Sequence, residues 1–228
     1  MNPIWTHAVM GRKKQSGPWW LAGDAPAPLA AYQPLGAASQ AASYTNIANP
    51  GVYTVVPTVE PAWSGTDGWI FSGSQYMDTT LAISPWTTKT VLCRFSNATV
   101  QGDGTLVGVT QTTSAIMLIP NSAVGGGSHV ARIGRAPTYY APPLTQGVLG
   151  ASAQNGYVNG VLDGKVCNPY TGGTTKTVHI GCLWAGTAPT GGTYFIGHIQ
   201  AVVMYDYELT ADQMAAVSAA MAALQKGF

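Results

Sequence analysis

The chain has 228 residues, a formal net charge of +1 and charged side chains at only 8% of its positions, against roughly 25% in typical soluble domains. Such a surface has no field that would attract nucleic acid or anionic lipid, so neither is expected as a partner. The length suits one large domain with its own hydrophobic core. Because nearly neutral surfaces repel one another weakly, the composition favours docking against other proteins and a homo-oligomer.

Residues 1–31 are predicted to form an irregular arm, because glycines and prolines interrupt them at short intervals. Three tryptophans in a segment without periodic pattern must be buried by docking. They can dock on the chain's own domain or on another subunit, and the sequence leaves both options open. The one basic cluster fits a solvated or docked arm better than a nucleic-acid site. The residues predicted to anchor the arm are Trp5, Arg12, Lys13, Lys14, Trp19 and Trp20.

The start of the chain does not resemble a signal peptide, since the basic residues follow the apolar residues of segment 1–9 instead of preceding them. No apolar run reaches the length of a membrane span, so we expect synthesis and folding in a cytoplasm. The cysteines fit a reducing site of synthesis. Cys93 lies in a predicted strand and is expected to be a buried free thiol, whereas the sequence leaves open whether Cys167 and Cys182 pair.

Residues 32–228 are predicted to form an all-β, antiparallel sandwich. Short segments rich in β-forming residues recur about every 8–12 residues, with Gly, Pro or Asn between them, and no helical pattern between them indicates βαβ units. The clear strand candidates are 69–71, 76–81, 89–95, 105–110, 114–119, 130–133, 147–152, 157–158, 161–166, 178–180, 194–196 and 199–205.

Segment 154–164 gives the strongest local signal. It contains the dipeptides Asn155-Gly156 and Asn159-Gly160, followed at once by Asp163-Gly164. Because Asn-Gly and Asp-Gly tolerate the positive φ angles of type I′ turns, the segment predicts a strand, a tight turn and a second strand.

One helix is predicted near the end of the chain, at about 210–226. Thr210 and Gln213 form the sequence pattern of a capping box. Apolar residues then recur at intervals of three and four, which indicates one buried face. We expect this face to cover the sandwich, with an oligomer interface as the alternative.

Four segments, in this order along the chain, resemble the concanavalin A-like lectin/glucanase superfamily and in particular its laminin G-like jelly-roll domains. An aromatic-x-Phe-x-Gly run precedes a strand that carries a tyrosine, a third strand follows, a Tyr-Val-Asn-Gly hairpin comes next, and a closing strand ends in tyrosine before a Leu-Thr cap. The segments are 68–76, 89–95, 156–160 and 195–210. The resemblance implies a two-layered sandwich of a family whose members mostly bind.

Segments 29–34 and 42–51 extend this resemblance to laminin G-like proteins of tailed phages and environmental viruses. It implies a virion component that is made in the host cytoplasm and has other virion proteins as partners. A capsid decoration protein and a tail-associated subunit are both compatible with it.

No catalytic residues are predicted. Retaining glycosidases need two carboxylates about 5 Å apart, and the glucanases of the resembled superfamily place them in an E-x-D-x-x-E pattern. This chain has only two glutamates, Glu60 and Glu208, and lacks that pattern. We therefore expect a protein that is not an enzyme, with a glycoside hydrolase as the least favoured reading.

No cofactor or metal is expected. The histidines His7, His129, His179 and His198 are scattered without ligand spacing. Structural calcium is conceivable but not favoured, because the loop acids Asp67, Asp78 and Asp103 are few and far apart in sequence.

Glycan binding is the remaining candidate function, since sugars stack on exposed aromatic rings and form hydrogen bonds with nearby amide side chains. For the tryptophans the alternative is core packing, which is common in sandwiches. The pair Tyr139-Tyr140, between prolines, is the first choice for a contact surface. The predicted glycan or partner contacts are Tyr139, Tyr140, Trp86, Tyr170 and Trp184.

These observations predict a non-enzymatic structural or adhesion protein of a virus particle that docks on other virion proteins and contacts cell-surface glycans. The alternative is a lectin-like carbohydrate-binding module.

Overall fold

The structure is a computed structural model and describes residues 17–85, 88–99, 102–111, 114–122, 128–135, 142–166, 172 and 174–225. These residues form two antiparallel sheets that pack face to face, which confirms the predicted all-β sandwich. The strands are β1 (Ala30–Tyr32), β2 (Val56–Val59), β3 (Ala62–Ser64), β4 (Gly68–Ser72), β5 (Tyr76–Ala82), β6 (Thr90–Ser96), β7 (Val107–Gln111), β8 (Ser114–Ser122), β9 (Ser128–Arg135), β10 (Gly147–Ser152), β11 (Asn155–Val158), β12 (Val161–Val166), β13 (Thr177–Ile180) and β14 (Ile196–Tyr205).

Sheet A has the strand order β12-β11-β10-β6-β14-β4-β3, and β1 also pairs with β14. Sheet B has the order β2-β5-β13-β7-β8-β9. Both sheets mix hairpin neighbours with partners that are far apart in sequence. The segments 194–196 and 199–205, predicted as two strands, belong largely to the single strand β14, which begins at Ile196.

The core lies between the two sheets, where alternate residues of each strand point inward. In β6, Val91, Cys93 and Phe95 belong to this core, whereas Leu92 belongs to a second cluster on the outer face of sheet A. Phe71 and Phe195 meet edge to face across 5.9 Å near one end of the core. Cys93 is a buried free thiol, as predicted, and Cys182 is also buried and free, whereas Cys167 lies outside the described residues.

The outer face of sheet A is covered by the helix α2 (Ala211–Ala222), which follows a four-residue helix α1 (Gln40–Ser43) far earlier in the chain. Both hydrogen bonds of the predicted capping box are present between Thr210 and Gln213. The buried face of the helix packs on Leu92, Val203 and other outward residues of sheet A. The helix ends at Ala222, short of the predicted 226, and no helix of the described chain is long and apolar enough to cross a membrane.

The part of the arm that is described docks on the chain's own domain. Residues Trp19–Asp24 form a 3₁₀ segment that packs against α2. The indole of Trp19 donates a hydrogen bond to the side-chain oxygen of Gln33 at 2.8 Å, and the Tyr205 hydroxyl donates one to the backbone oxygen of Trp20 at 2.7 Å. The predicted anchors Trp5, Arg12, Lys13 and Lys14 lie outside the described residues. The boundary predicted after residue 31 falls inside strand β1.

The hairpin prediction is right at one turn and wrong at the other two dipeptides. Asn159 and Gly160 have φ angles of 51° and 80°, as a type I′ turn between β11 and β12 requires. Asn155-Gly156 instead lies within β11, and the preceding turn uses Ala153 and Gln154. Buried Tyr157 packs under α2, and this burial fixes the register of the strand.

Asp163-Gly164 lies inside β12, where the pairing with β11 shifts register, and not in a turn. A β-bulge accommodates the extra residues of β12 at this point. The Asp163 carboxylate lies 3.6 Å from Nε2 of His129, a histidine of β9.

Candidate functional site

Four ring-bearing side chains form a cluster on the outer face of sheet B. Tyr76 begins β5, His179 lies in β13, and Trp184 and Tyr194 lie in the connection from β13 to β14. Strand alternation explains the two sheet positions, because Met77, Val178 and Ile180 point into the core and their neighbours therefore point outward. We call Tyr76, His179, Trp184 and Tyr194 the aromatic cluster.

Each ring of the cluster lies next to at least one other ring. The His179 and Trp184 rings lie 4.2 Å apart between centroids and are nearly parallel, with 13° between their planes. Tyr76 lies 5.9 Å from Trp184 and 6.1 Å from Tyr194. These separations are in the range in which aromatic pairs attract each other beyond their hydrophobic burial. The cluster is therefore one continuous aromatic surface.

The cluster has a buried base and an accessible rim. His179 is only 2% exposed, whereas Tyr76, Trp184 and Tyr194 each keep part of their surface in solvent. Burial lowers the pKa of His179, opposed by the charge of Asp78 and by a hydrogen bond to the Thr177 carbonyl. Since a carbonyl only accepts, Nδ1 carries the proton in this 3.1 Å contact. His179 is thus a neutral support at neutral pH.

The loop that carries Trp184 is fixed by hydrogen bonds to the sheet. The backbone N–H of Thr110 in β7 donates to the Trp184 carbonyl at 2.8 Å. The Lys176 ammonium donates to the carbonyls of Ala185 at 2.6 Å and Thr110 at 3.2 Å. The Lys176 side chain also passes close to Gly186, because a Cβ added to this glycine would lie 2.6 Å from Cε of Lys176. The tryptophan is therefore held in place before any ligand arrives.

The cluster offers stacking surfaces and few acidic groups. Asp78 is the acid whose charge acts on His179, and its carboxylate accepts from the backbone N–H of Thr80 at 2.7 Å. The two glutamates of the chain have other surroundings. Glu60 accepts a hydrogen bond from the Tyr44 hydroxyl at 3.0 Å, and Glu208 follows β14, which belongs to sheet A. This chemistry suits recognition of a ligand with apolar ring faces.

Among the residues that the structure describes, no three His, Cys, Asp or Glu side chains are grouped so that they could hold a metal ion. The acids considered for calcium have separate partners. Asp67 accepts from the hydroxyls of Ser64 and Thr66, and Asp103 accepts from that of Ser122.

Of the five predicted contact residues, Trp184 lies in the aromatic cluster, whereas Trp86, Tyr139, Tyr140 and Tyr170 lie outside the described residues. The sequence reasoning missed Tyr76, His179 and Tyr194. A usable signal existed for His179, because it stands between the apolar residues Val178 and Ile180 and must point to the opposite face of its strand.

No protein-family profile matches the chain, and no curated protein matches it in sequence. Solved structures are similar to it. Domain 4 of AbnA, a GH43 extracellular arabinanase from Geobacillus stearothermophilus, in complex with arabinotriose, has a TM-score of 0.52 and 18% identity, covering 84% of this chain and 98% of that domain. Trypanosoma rangeli sialidase in complex with sialic acid has a TM-score of 0.59 and 12% identity, covering 87% of this chain and 34% of the sialidase.

At these identities the similarity shows the fold alone: a β-sandwich of the type found in carbohydrate-binding and glycosidase proteins. The chain spans about a third of the length of the sialidase. The similar structures lend no support to the virion role, to the finer laminin G-like assignment or to virion partners, which stay predictions of the sequence. They agree better with the lectin-like alternative.

Proposed function

We propose that this protein is a non-catalytic carbohydrate-binding module that contacts its glycan through the aromatic cluster. The observation that carries the proposal is the Trp184 ring, which is held flat against buried His179 while part of its surface remains accessible. A sugar presents an apolar C–H face that stacks on such a ring.

The geometry of the cluster limits how a sugar can lie on it. His179 occupies one face of the Trp184 ring at 4.2 Å, so a ligand that stacks on Trp184 uses the opposite face. Tyr76 lies 5.9 Å from Trp184, and Tyr194 lies 6.1 Å from Tyr76, so the cluster also contains two phenol groups. Hydroxyl groups of this kind fix the orientation of a sugar by hydrogen bonds, whereas the ring supplies the contact area.

Two further facts support the proposal. The support under Trp184 exists in the free protein, because the loop is tied to β7 and to Lys176 by hydrogen bonds, and pre-organisation lowers the entropic cost of binding. The arabinanase domain of similar fold holds arabinotriose, so a neutral oligosaccharide is the first ligand to try.

The test is binding of arabinotriose and of a panel of soluble polysaccharides to the wild-type chain and to Trp184→Ala. We expect the substitution to weaken binding at least tenfold, about 1.4 kcal/mol, because the stacking surface is lost. Tyr207→Ala is the matched control, since Tyr207 is 54% exposed and follows β14 on the other sheet. Circular dichroism confirms that each variant is folded.

Equal binding by wild type and Trp184→Ala would place the glycan elsewhere. Tyr139→Ala and Tyr140→Ala, made in the same background, test whether the predicted tyrosine pair contributes to the same ligand.

A further inference from the structure

A cleft lies on the opposite side of the sandwich from the aromatic cluster. It is an open cleft of about 570 Å³ on the outer face of sheet A, next to Ala222 at the end of α2. Unlike the aromatic cluster, this cleft is lined mainly by hydrogen-bonding side chains: Arg94, Ser96, Asn97, Gln146, Asn159 and Gln200.

Arg94 supplies a positive charge that no described carboxylate pairs. Its Nη1 donates at 2.8 Å to the carbonyls of Met221 and Leu224, so one nitrogen caps the end of α2. Its Nε and Nη2 make no hydrogen bond within the described part of the chain, and they are not among its buried unpaired atoms. No carboxylate of the described residues lies within 4 Å of the guanidinium. Arg94 therefore has donors left for a ligand.

The amide side chains are placed by specific backbone features. The pairing of β14 with β6 shifts register between Ile199 and Ala201, and this bulge positions Gln200. Gln200 is 8% exposed and donates to the Ser96 hydroxyl at 3.3 Å. Asn159 accepts from the N–H of Val148 through Oδ1. Its Nδ2 makes no hydrogen bond to the described residues, and this N–H₂ group is thus left for a ligand.

We propose that this cleft binds a sugar acid, with the ligand carboxylate on Arg94 and its hydroxyls on the surrounding amide and hydroxyl side chains. A guanidinium is suited to a planar carboxylate, which two parallel N–H groups can hold. Side-chain amides both donate and accept, as sugar hydroxyls do. The inference goes beyond the aromatic cluster and does not depend on it.

The cleft lining also contains one described acid. Asp67 lines the rim, where its carboxylate accepts from Ser64 and Thr66 and lies 3.8 Å from Nδ1 of His198. A ligand with a single carboxylate can place it on Arg94 and turn its neutral hydroxyls toward Asp67, whereas this acid would repel a second negative charge. A phosphate usually requires several donors or backbone N–H groups in addition.

The test is a titration of the full chain, followed by amide NMR shifts, with D-galacturonate, D-galactose, acetate and inorganic phosphate. We expect galacturonate to shift residues that line the cleft and to bind at least tenfold more tightly than galactose or acetate. If galactose binds as tightly as galacturonate, Arg94 has no role in recognising the ligand. If phosphate binds as tightly as galacturonate, the cleft does not select a carboxylate.

Gln146→Glu places a negative charge in the cleft without disturbing the helix cap, since Gln146 is exposed and makes no hydrogen bond to the described chain. We expect at least fivefold weaker galacturonate binding. Gln154→Glu is the matched control, because it stands beyond the other end of β10, on the order of 20 Å away. If both variants bind like wild type, the proposal is wrong. Shifts of the residues that line the cleft, followed separately from those of the aromatic cluster, distinguish this site from the cluster.

Discussion

The contact between the β11–β12 hairpin and α2 can be measured by replacing one glycine. Gly160 has a φ of 80°, and a Cβ there would lie 2.7 Å from Cα of Ala215 and 3.2 Å from the carbonyl oxygen of Met214. Both are backbone atoms of α2, so neither can move without shifting the helix. Gly160→Ala should therefore cost about 1–2 kcal/mol for the left-handed backbone and a further 1–3 kcal/mol for overpacking.

Two other glycines separate these contributions. Gly51 has a φ of 88° but nothing within 4 Å of an added Cβ, so Gly51→Ala should cost only the backbone share. Gly191 has open space and no strained φ, so Gly191→Ala should be nearly neutral. The measurement is the free energy of unfolding from urea titrations followed by tryptophan fluorescence. If Gly160→Ala costs no more than Gly51→Ala, the hairpin does not rest on the helix.

Three further predictions concern the capping box, one histidine and the thiols. Thr210→Ala should lower the free energy of unfolding by about 1 kcal/mol, whereas exposed Thr187→Ala should not change it. Burial lowers the pKa of His179, so the folded state resists its protonation. The contribution of neutral His179 to the free energy of unfolding has its full value above the ordinary histidine pKa of about 6.5. It decreases as the pH falls below that value. His179→Phe should therefore flatten the fall in unfolding free energy between pH 7 and pH 5, and an unchanged slope would contradict this assignment. Burial raises the pKa of the Cys182 thiol to about 12 and that of Cys93 well above its ordinary value. Peptide mapping should find both thiols alkylated by iodoacetamide only after denaturation, and modification in the native protein would be evidence against their burial.

The sequence patterns predicted the elements that depend on local chemistry. The run of β-forming residues in β6 and the capping box at Thr210 are both visible within a few residues, and the strand and the capping box are both present. The type I′ turn at Asn159-Gly160 is likewise a property of two residues.

Elements stabilised by distant partners could not be predicted in this way. Strand β1 has only three residues, all buried, and it exists because it pairs with β14, about 170 residues later. Asn155-Gly156 has the composition of a turn, but the burial of Tyr157 under α2 holds it in a strand. The propensity of a dipeptide is weak compared with the burial of an aromatic side chain.

The aromatic cluster was found only in part for the same reason. Trp184 was selected because it is a tryptophan in a loop, which is a local property. Its stacking on His179 and its proximity to Tyr76 come from the pairing of β13 with β5 and from the loop that follows β13. A cluster assembled from several segments requires the sheet register, which a single sequence does not supply.

The position of β14 has a consequence for the biosynthesis of the protein. This strand lies in the middle of sheet A, with β6 along one side and β1 and β4 along the other, although it follows all of them in the chain. Until residues 196–205 have left the ribosome, β6 and β1 lack the strand that joins them. We therefore expect sheet A to be completed only after translation of β14, with slow refolding in vitro, because contacts between distant residues slow folding.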